Sequence, residues 1–173
     1  MKMDRRTFIR FIPGSFIFLS SEMRQKENSR NLAPDFKLPD LNGKTVMLSD
    51  FKNNVVVLDF WASWCEPCIA EIPNLNALHE KHADRGLRVL GIVLESGSVK
   101  DIRQFVTKHK IDYQILIGND NVVNKYNVAG FPTTLLIDPQ RQVQKKYLGV
   151  RSGKESNIER DVQALLNAWR AQA

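Results

Sequence analysis

The stretch "NVVVLDFW", residues 54–61, is apolar and β-branched apart from one acid, Asp59. Such a run reads as a strand buried on both faces, which requires a sheet covered by helices on each side. Three residues later comes Cys65-Glu66-Pro67-Cys68, and from Glu66 the pattern turns helical, with Ile69, Ile72, Leu75 and Leu78 spaced three apart. Pro67 suits the first turn of that helix, whereas Pro73 is expected to interrupt and kink it. Gly86 stops it, and "LRVLGIVL" (87–94) is the next buried strand. A strand, a helix and a second buried strand in this order predict an α/β fold.

The rest of the chain extends that pattern. Before the first buried strand, "DFKLPDLNGKTVMLSDF" places short apolar runs around Asn42-Gly43, a β-hairpin signal. Ser98 with Asp101 three residues on predicts a capped helix with Val99, Ile102, Phe105 and Val106 facing inward. "YQILI" (113–117) is a further strand, followed by a short helix around Val122, Val123 and Tyr126. "TTLLID" (133–138) and "QVQKKYLGV" (142–150) read as two strands about a Pro139–Arg141 turn. Ser156 with Glu159 is expected to open the last helix, which carries Ile158, Val162, Leu165, Leu166 and Trp169 as one apolar stripe. This order implies a mixed central sheet flanked by helices, with an N-terminal β-hairpin and an inserted helix–strand unit.

The net charge of +6 is concentrated at the amino end, where residues 1–31 hold +4. The remaining residues show no Lys/Arg run with interleaved aromatics, which argues against a nucleic-acid partner. In "MDRRTFIRFIPGSFIFLSS" a basic start leads into the apolar stretch Phe11–Leu19, the order of an export signal, and "DRRTFIR" resembles a twin-arginine signal. Residues 1–21 are therefore read as an export signal or membrane-anchor segment, with a possible tether through residues 8–20. Residues 22–31 form a polar linker, and 32–173 the folded domain. The expected location is periplasmic or extracytoplasmic, with anchoring in the inner membrane as an option.

Two cysteines cannot build a disulfide framework, so their role is chemical. Unpaired N–H groups at a helix start favour an anion, and the thiolate is the reactive form of cysteine. Cys65, ahead of the first turn, is expected to be the exposed nucleophile. Cys68, one turn in, is expected to lie deeper and to resolve a mixed disulfide. A zinc site with His79 and His82 fails on reach, because His79 would lie about 16 Å along the helix from Cys68 and zinc ligands sit within about 2.3 Å of the ion. No metal ligand is assigned, and His79, His82 and His109 are read as solvated or helix-face residues. Glu66 suits a helix start but opposes a thiolate at Cys65, which biases the dithiol toward acting as a reductant.

"VVVLDFWASWCEPCIAEIP", followed by "VAGFPTTLLID", resembles the thioredoxin superfamily. "APDFKLPDLNGKTVMLSDF" and the helix–strand unit near 98–117 point to its exported TlpA/ResA/CcmG-like branch. The resemblance covers roughly residues 32–170. It implies a thioredoxin-like fold and a thiol–disulfide oxidoreductase that needs no cofactor beyond a redox-active Cys65–Cys68 disulfide. Its implied partners are an exported protein disulfide, such as apocytochrome c or copper-site cysteines, and a membrane-embedded or other upstream thiol electron donor. By the same resemblance Trp64 is the aromatic before the pair, Pro132 is a cis-proline lying against the sulfurs, and Phe131 contacts the substrate groove. Asp59 and Glu71 match two different buried-acid positions, and either could serve Cys68. Two alternatives accompany this reading. One is a copper-binding thiol chaperone. The other is a peroxiredoxin-like thiol peroxidase, which needs proline at 58 and a hydroxyl at 62, where this chain has Leu58 and Ala62.

Overall fold

The computed structural model describes residues 31–149 and 153–171. The proposed signal, the tether through residues 8–20 and nearly all of the linker lie outside the described residues. Within the compact unit Leu32–Ala173, seven strands are assigned: β1 (Lys37–Pro39), β2 (Thr45–Met47), β3 (Val55–Trp61), β4 (Leu87–Val93), β5 (Gln114–Ile117), β6 (Thr133–Ile137) and β7 (Val143–Leu148). The α-helices are α1 (Glu66–His82), α2 (Val99–His109), α3 (Asp120–Lys125) and α4 (Lys154–Arg170).

The main sheet has the order β5-β4-β3-β6-β7, with β3 parallel to β4 and β4 parallel to β5. β6 runs antiparallel to both β3 and β7. The steps β3→β4 and β4→β5 move the same way across the sheet, so right-handed crossovers put α1 and α2 on one face. Ile72, Leu75 and Leu78 of α1, Ile102 of α2, and Ile158, Val162 and Leu166 of α4 share a core there with Val55, Val57 and Trp61 of β3. On the opposite face, Phe36, Leu38, Val46 and Leu48 of the hairpin region join Val122 and Tyr126 against Val56, Leu58 and Phe60. Burying a side chain such as Leu38 is worth roughly 1.5–3 kcal/mol, so the hairpin is a wall of the core. β3 is buried at all seven positions, Asp59 included.

Close packing around β3 requires a glycine beside it. Gly91 pairs with Asp59 in register, and a Cβ there would stand 2.7 Å from Ile115 Cδ1 and 2.8 Å from Trp61 Nε1. The hairpin turn is held by Asp40, whose Oδ1 accepts from Asn42 N at 2.8 Å and Lys44 N at 2.9 Å, while Gly43 adopts φ +79°.

Several local expectations change. α1 runs unbroken through Pro73 to His82, with Pro73 on an exposed position; the missing N–H costs a bond to the Ile69 carbonyl but does not end the helix. The Ser98–Asp101 capping box is present, yet Val99, the first residue of α2, stays 44% exposed while Ile102 is buried. α4 begins at Lys154 behind Gly153 (φ 76°), two residues before Ser156, whose Oγ donates to the Gly153 carbonyl at 3.0 Å. His82 is fully buried, with Nδ1 3.3 Å from Arg85 Nη1. It packs on the inner face of α1, while His109 stacks on Phe105 at 4.1 Å between ring centroids.

Candidate active site

Chain direction places the cysteines where β3 ends and α1 begins. Cys65 is the N-cap of α1, and its Sγ accepts from Cys68 N at 3.3 Å. Pro67 occupies the first turn, where its missing N–H is not needed, and Glu66 is the acid of that turn. The two sulfurs are joined in a disulfide of 2.05 Å, with Cα atoms 5.3 Å apart. The pair therefore sits on the unpaired N–H groups of a 17-residue helix, which stabilise a thiolate when the bond opens.

Cys65 was expected to be exposed, but it is only 5% exposed, close to the 3% of Cys68. Aromatic packing beside the pair accounts for part of this. Trp64 is 62% exposed and meets Phe131 edge-on at 5.9 Å, and Phe131 packs against the core cluster that includes both cysteines. The Phe131–Pro132 peptide bond is cis, as the resemblance implied, and Pro132 is buried with its carbonyl accepting from Gly149 N at 2.8 Å. The loop after β4 fixes the segment before Cys65. Trp64 Nε1 donates to the Glu95 carbonyl at 2.9 Å, and Ser63 N donates to Ser96 Oγ at 2.8 Å.

The two candidate acids have different surroundings. Asp59 is 2% exposed and accepts one side-chain hydrogen bond, from Thr134 Oγ1 at 2.9 Å, its cross-strand partner on β6. Burial, reinforced by the charge of Glu71, pushes the Asp59 pKa up to about 7; the Thr134 bond and the Lys154 charge oppose this. Glu71, one turn beyond Cys68 on α1, is 5% exposed and accepts two bonds from Lys154 Nζ, at 2.7 and 2.9 Å. Burial raises its pKa too, and the hydrogen bonds and charge of Lys154 offset part of that rise, leaving it above the usual carboxylate value. Tyr113 is pushed well above the usual phenol range by burial and by the charges of Asp59, Asp112 and Glu71.

Sequence reasoning missed Lys154, Thr134, Glu95 and Ser96. Thr134 could have been found in "GFPTT", two residues after the proline. Nothing local marked Lys154, whose partner is 83 residues away. Among the described residues, no three His, Cys, Asp or Glu side chains gather into a group that could hold a metal ion.

A mixed sheet of thioredoxin type and a helix capped by a Cys-x-x-Cys disulfide define a thiol–disulfide oxidoreductase with a redox-active disulfide. Residues 30–146 match the AhpC/TSA family. The chain is 35% identical over 132 residues to the thioredoxin-like protein YneN of Bacillus subtilis, covering 75% of this chain and 77% of that one. It is 34% identical over 134 residues to the thiol-disulfide oxidoreductase ResA of Geobacillus kaustophilus, covering 77% and 75%. A Chlorobium tepidum structure assigned as the thiol:disulfide interchange protein DsbE superposes with TM-score 0.74 at 33% identity, over 79% of this chain and 96% of that one. The chain belongs to the AhpC/TSA family and, by fold and site, to the TlpA/ResA/DsbE-like extracytoplasmic thiol–disulfide oxidoreductases.

Proposed function

We propose that the dithiol form reduces disulfides in exported proteins, with apocytochrome c and copper-site cysteines as the substrate class, in the periplasm or an equivalent extracytoplasmic space. The observation that carries this reading is the Cys65–Cys68 disulfide capping α1, with the buried acid Asp59 on the strand that leads into it. Cys65 thiolate attacks a substrate sulfur, forming a mixed disulfide and releasing one substrate thiolate. Asp59 then takes the Cys68 proton, and Cys68 attacks Cys65 Sγ. The enzyme disulfide forms, the second substrate thiolate leaves, and two electrons have passed to the substrate. An upstream thiol donor, membrane-embedded or soluble, returns the pair to the dithiol. Trp64, Phe131 and Pro132 form the rim on which an extended substrate segment lies, and residues 8–20 supply a signal or tether.

The direction of electron flow is supported by the charges around the pair. Glu66, the acid of the first turn next to Cys65, disfavours a thiolate there, and a less acidic leaving thiol makes a disulfide harder to reduce. Glu66 is exposed, so solvent weakens its share. Glu66→Gln is expected to lower the Cys65 pKa by less than about one unit and to make the pair slightly more oxidising. Thiolate absorbance followed against pH checks this, and an unchanged or higher pKa removes Glu66 from the tuning.

Covalent capture tests the function as a whole. A Cys68→Ser variant expressed with its leader is expected to accumulate mixed disulfides through Cys65 with exported proteins. Adducts confined to cytoplasmic proteins, or none that depend on Cys65, contradict the proposed substrate class.

A further inference from the structure

Lys154 stands where local physics disfavours it. It is the first residue of α4, at the positive end of the helix dipole, and is only 3% exposed. A buried ion pair is seldom a net source of stability, because desolving both charges offsets their attraction. The Lys154–Glu71 pair is nevertheless bidentate and buried, and Glu71 lies one turn from Cys68 on the same helix. Positions that break local rules mark function more often than packing.

We propose that Lys154 is a positioning residue for thiol–disulfide exchange: by holding Glu71 as a carboxylate, it leaves Asp59 as the single group that takes and returns the Cys68 proton. This rests on the acceptor role given to Asp59 above. Two neighbouring carboxyls without a counter-ion share their titration, and neither then owns the proton. With Lys154 donating to both oxygens of Glu71, the pair divides into one fixed charge and one proton-exchanging acid. Among the described residues, the Asp59 side chain on β3 has Thr134 of β6 as its one hydrogen-bond partner. Glu155 of α4 also acts on Glu71, raising it, and both acids in turn raise Tyr113 before β5. A cleft of about 340 Å³ between α1 and α4 is bordered by Glu71, Lys154 and Glu155, with Lys81 and Glu159, which form an ion pair, also in its wall.

Carboxyl ¹³C NMR of the oxidised full chain, paired with the pH profile of disulfide turnover, tests the assignment. In the wild type, Glu71 is expected to finish titrating below the Asp59 midpoint. In Lys154→Met its midpoint is expected to rise by at least about one pH unit and overlap that of Asp59, giving the turnover profile a second step. Lys154→Arg is expected to restore the single step. An unmoved Glu71 midpoint in Lys154→Met overturns the inference while the Asp59 reading stands. If Lys154→Met does not fold, the wild type still decides, because joint titration of Glu71 and Asp59 overturns it. An Asp59→Asn turnover profile with the wild-type pH dependence overturns the acceptor assignment itself, and the role of Lys154 with it.

Discussion

Cys65→Ala is expected to lose disulfide turnover entirely above the background of the free thiol donor, while Cys68→Ala retains a first step and stalls. The chain has only two cysteines, so Cys68 is the one thiol left once Cys65 is gone, and it lies inside the first turn of α1 rather than at the N-cap position held by Cys65. In Cys68→Ala the mixed disulfide still forms, and its release needs a thiol from solution. The native Cys68 is held so that its Cα is 5.3 Å from that of Cys65. Well-oriented intramolecular groups act at effective concentrations of about 10⁵–10⁸ M. Resolution by a millimolar external thiol is therefore expected to be slower by many orders of magnitude. Single-turnover kinetics with a fluorescent disulfide substrate separate the two variants. A burst of one equivalent in Cys68→Ala and none in Cys65→Ala assigns the attacking sulfur, and a burst in Cys65→Ala reverses the assignment.

The burial of Cys65 shows where the sequence stops being informative. Its place at a helix start follows from the turn from "VVVLDFW" to "CEPCIAEIP", because strand and helix periods are local. Beside it Trp64 meets Phe131, 67 positions later in the chain, and no pattern near Cys65 encodes that contact. The same division separates the correct features from the corrected ones. The Ser98–Asp101 box and the Asn42-Gly43 turn are built from residues within a few positions of each other. α4 starts behind Gly153 with Lys154 bonded to Glu71, two residues before Ser156, which with Glu159 looks like a cap in isolation. Asp59 and Glu71 could not be separated by resemblance, since both match buried-acid positions. Their partners separate them, a neutral hydroxyl for one and an ammonium for the other.

Asp59→Asn is expected to make the oxidised protein more stable at neutral and alkaline pH while slowing exchange. The folded-state pKa of Asp59, about 7, lies above its ordinary value of 3.8. Between those values the native state binds more protons than the unfolded chain, so stability falls as pH rises. The contribution is fully present below 3.8 and lost once pH has passed through about 7. At 1.36 kcal/mol per unit, the loss by pH 8 amounts to at most ~4 kcal/mol. Asparagine keeps an acceptor for the Thr134 hydroxyl but never ionises, so Asp59→Asn is expected to remove most of this decline. Urea unfolding across the acid-to-alkaline range reads the difference: the variant gains on the wild type as pH rises and converges with it toward pH 4. Parallel curves would remove Asp59 as the source of the pH dependence. On the proposed acceptor role, the same substitution removes the base for Cys68, and general-base catalysis of this kind contributes roughly 10²–10⁴-fold. Both effects together are the outcome expected of an acid kept for proton transfer; a purely structural acid predicts the stability gain without the kinetic loss.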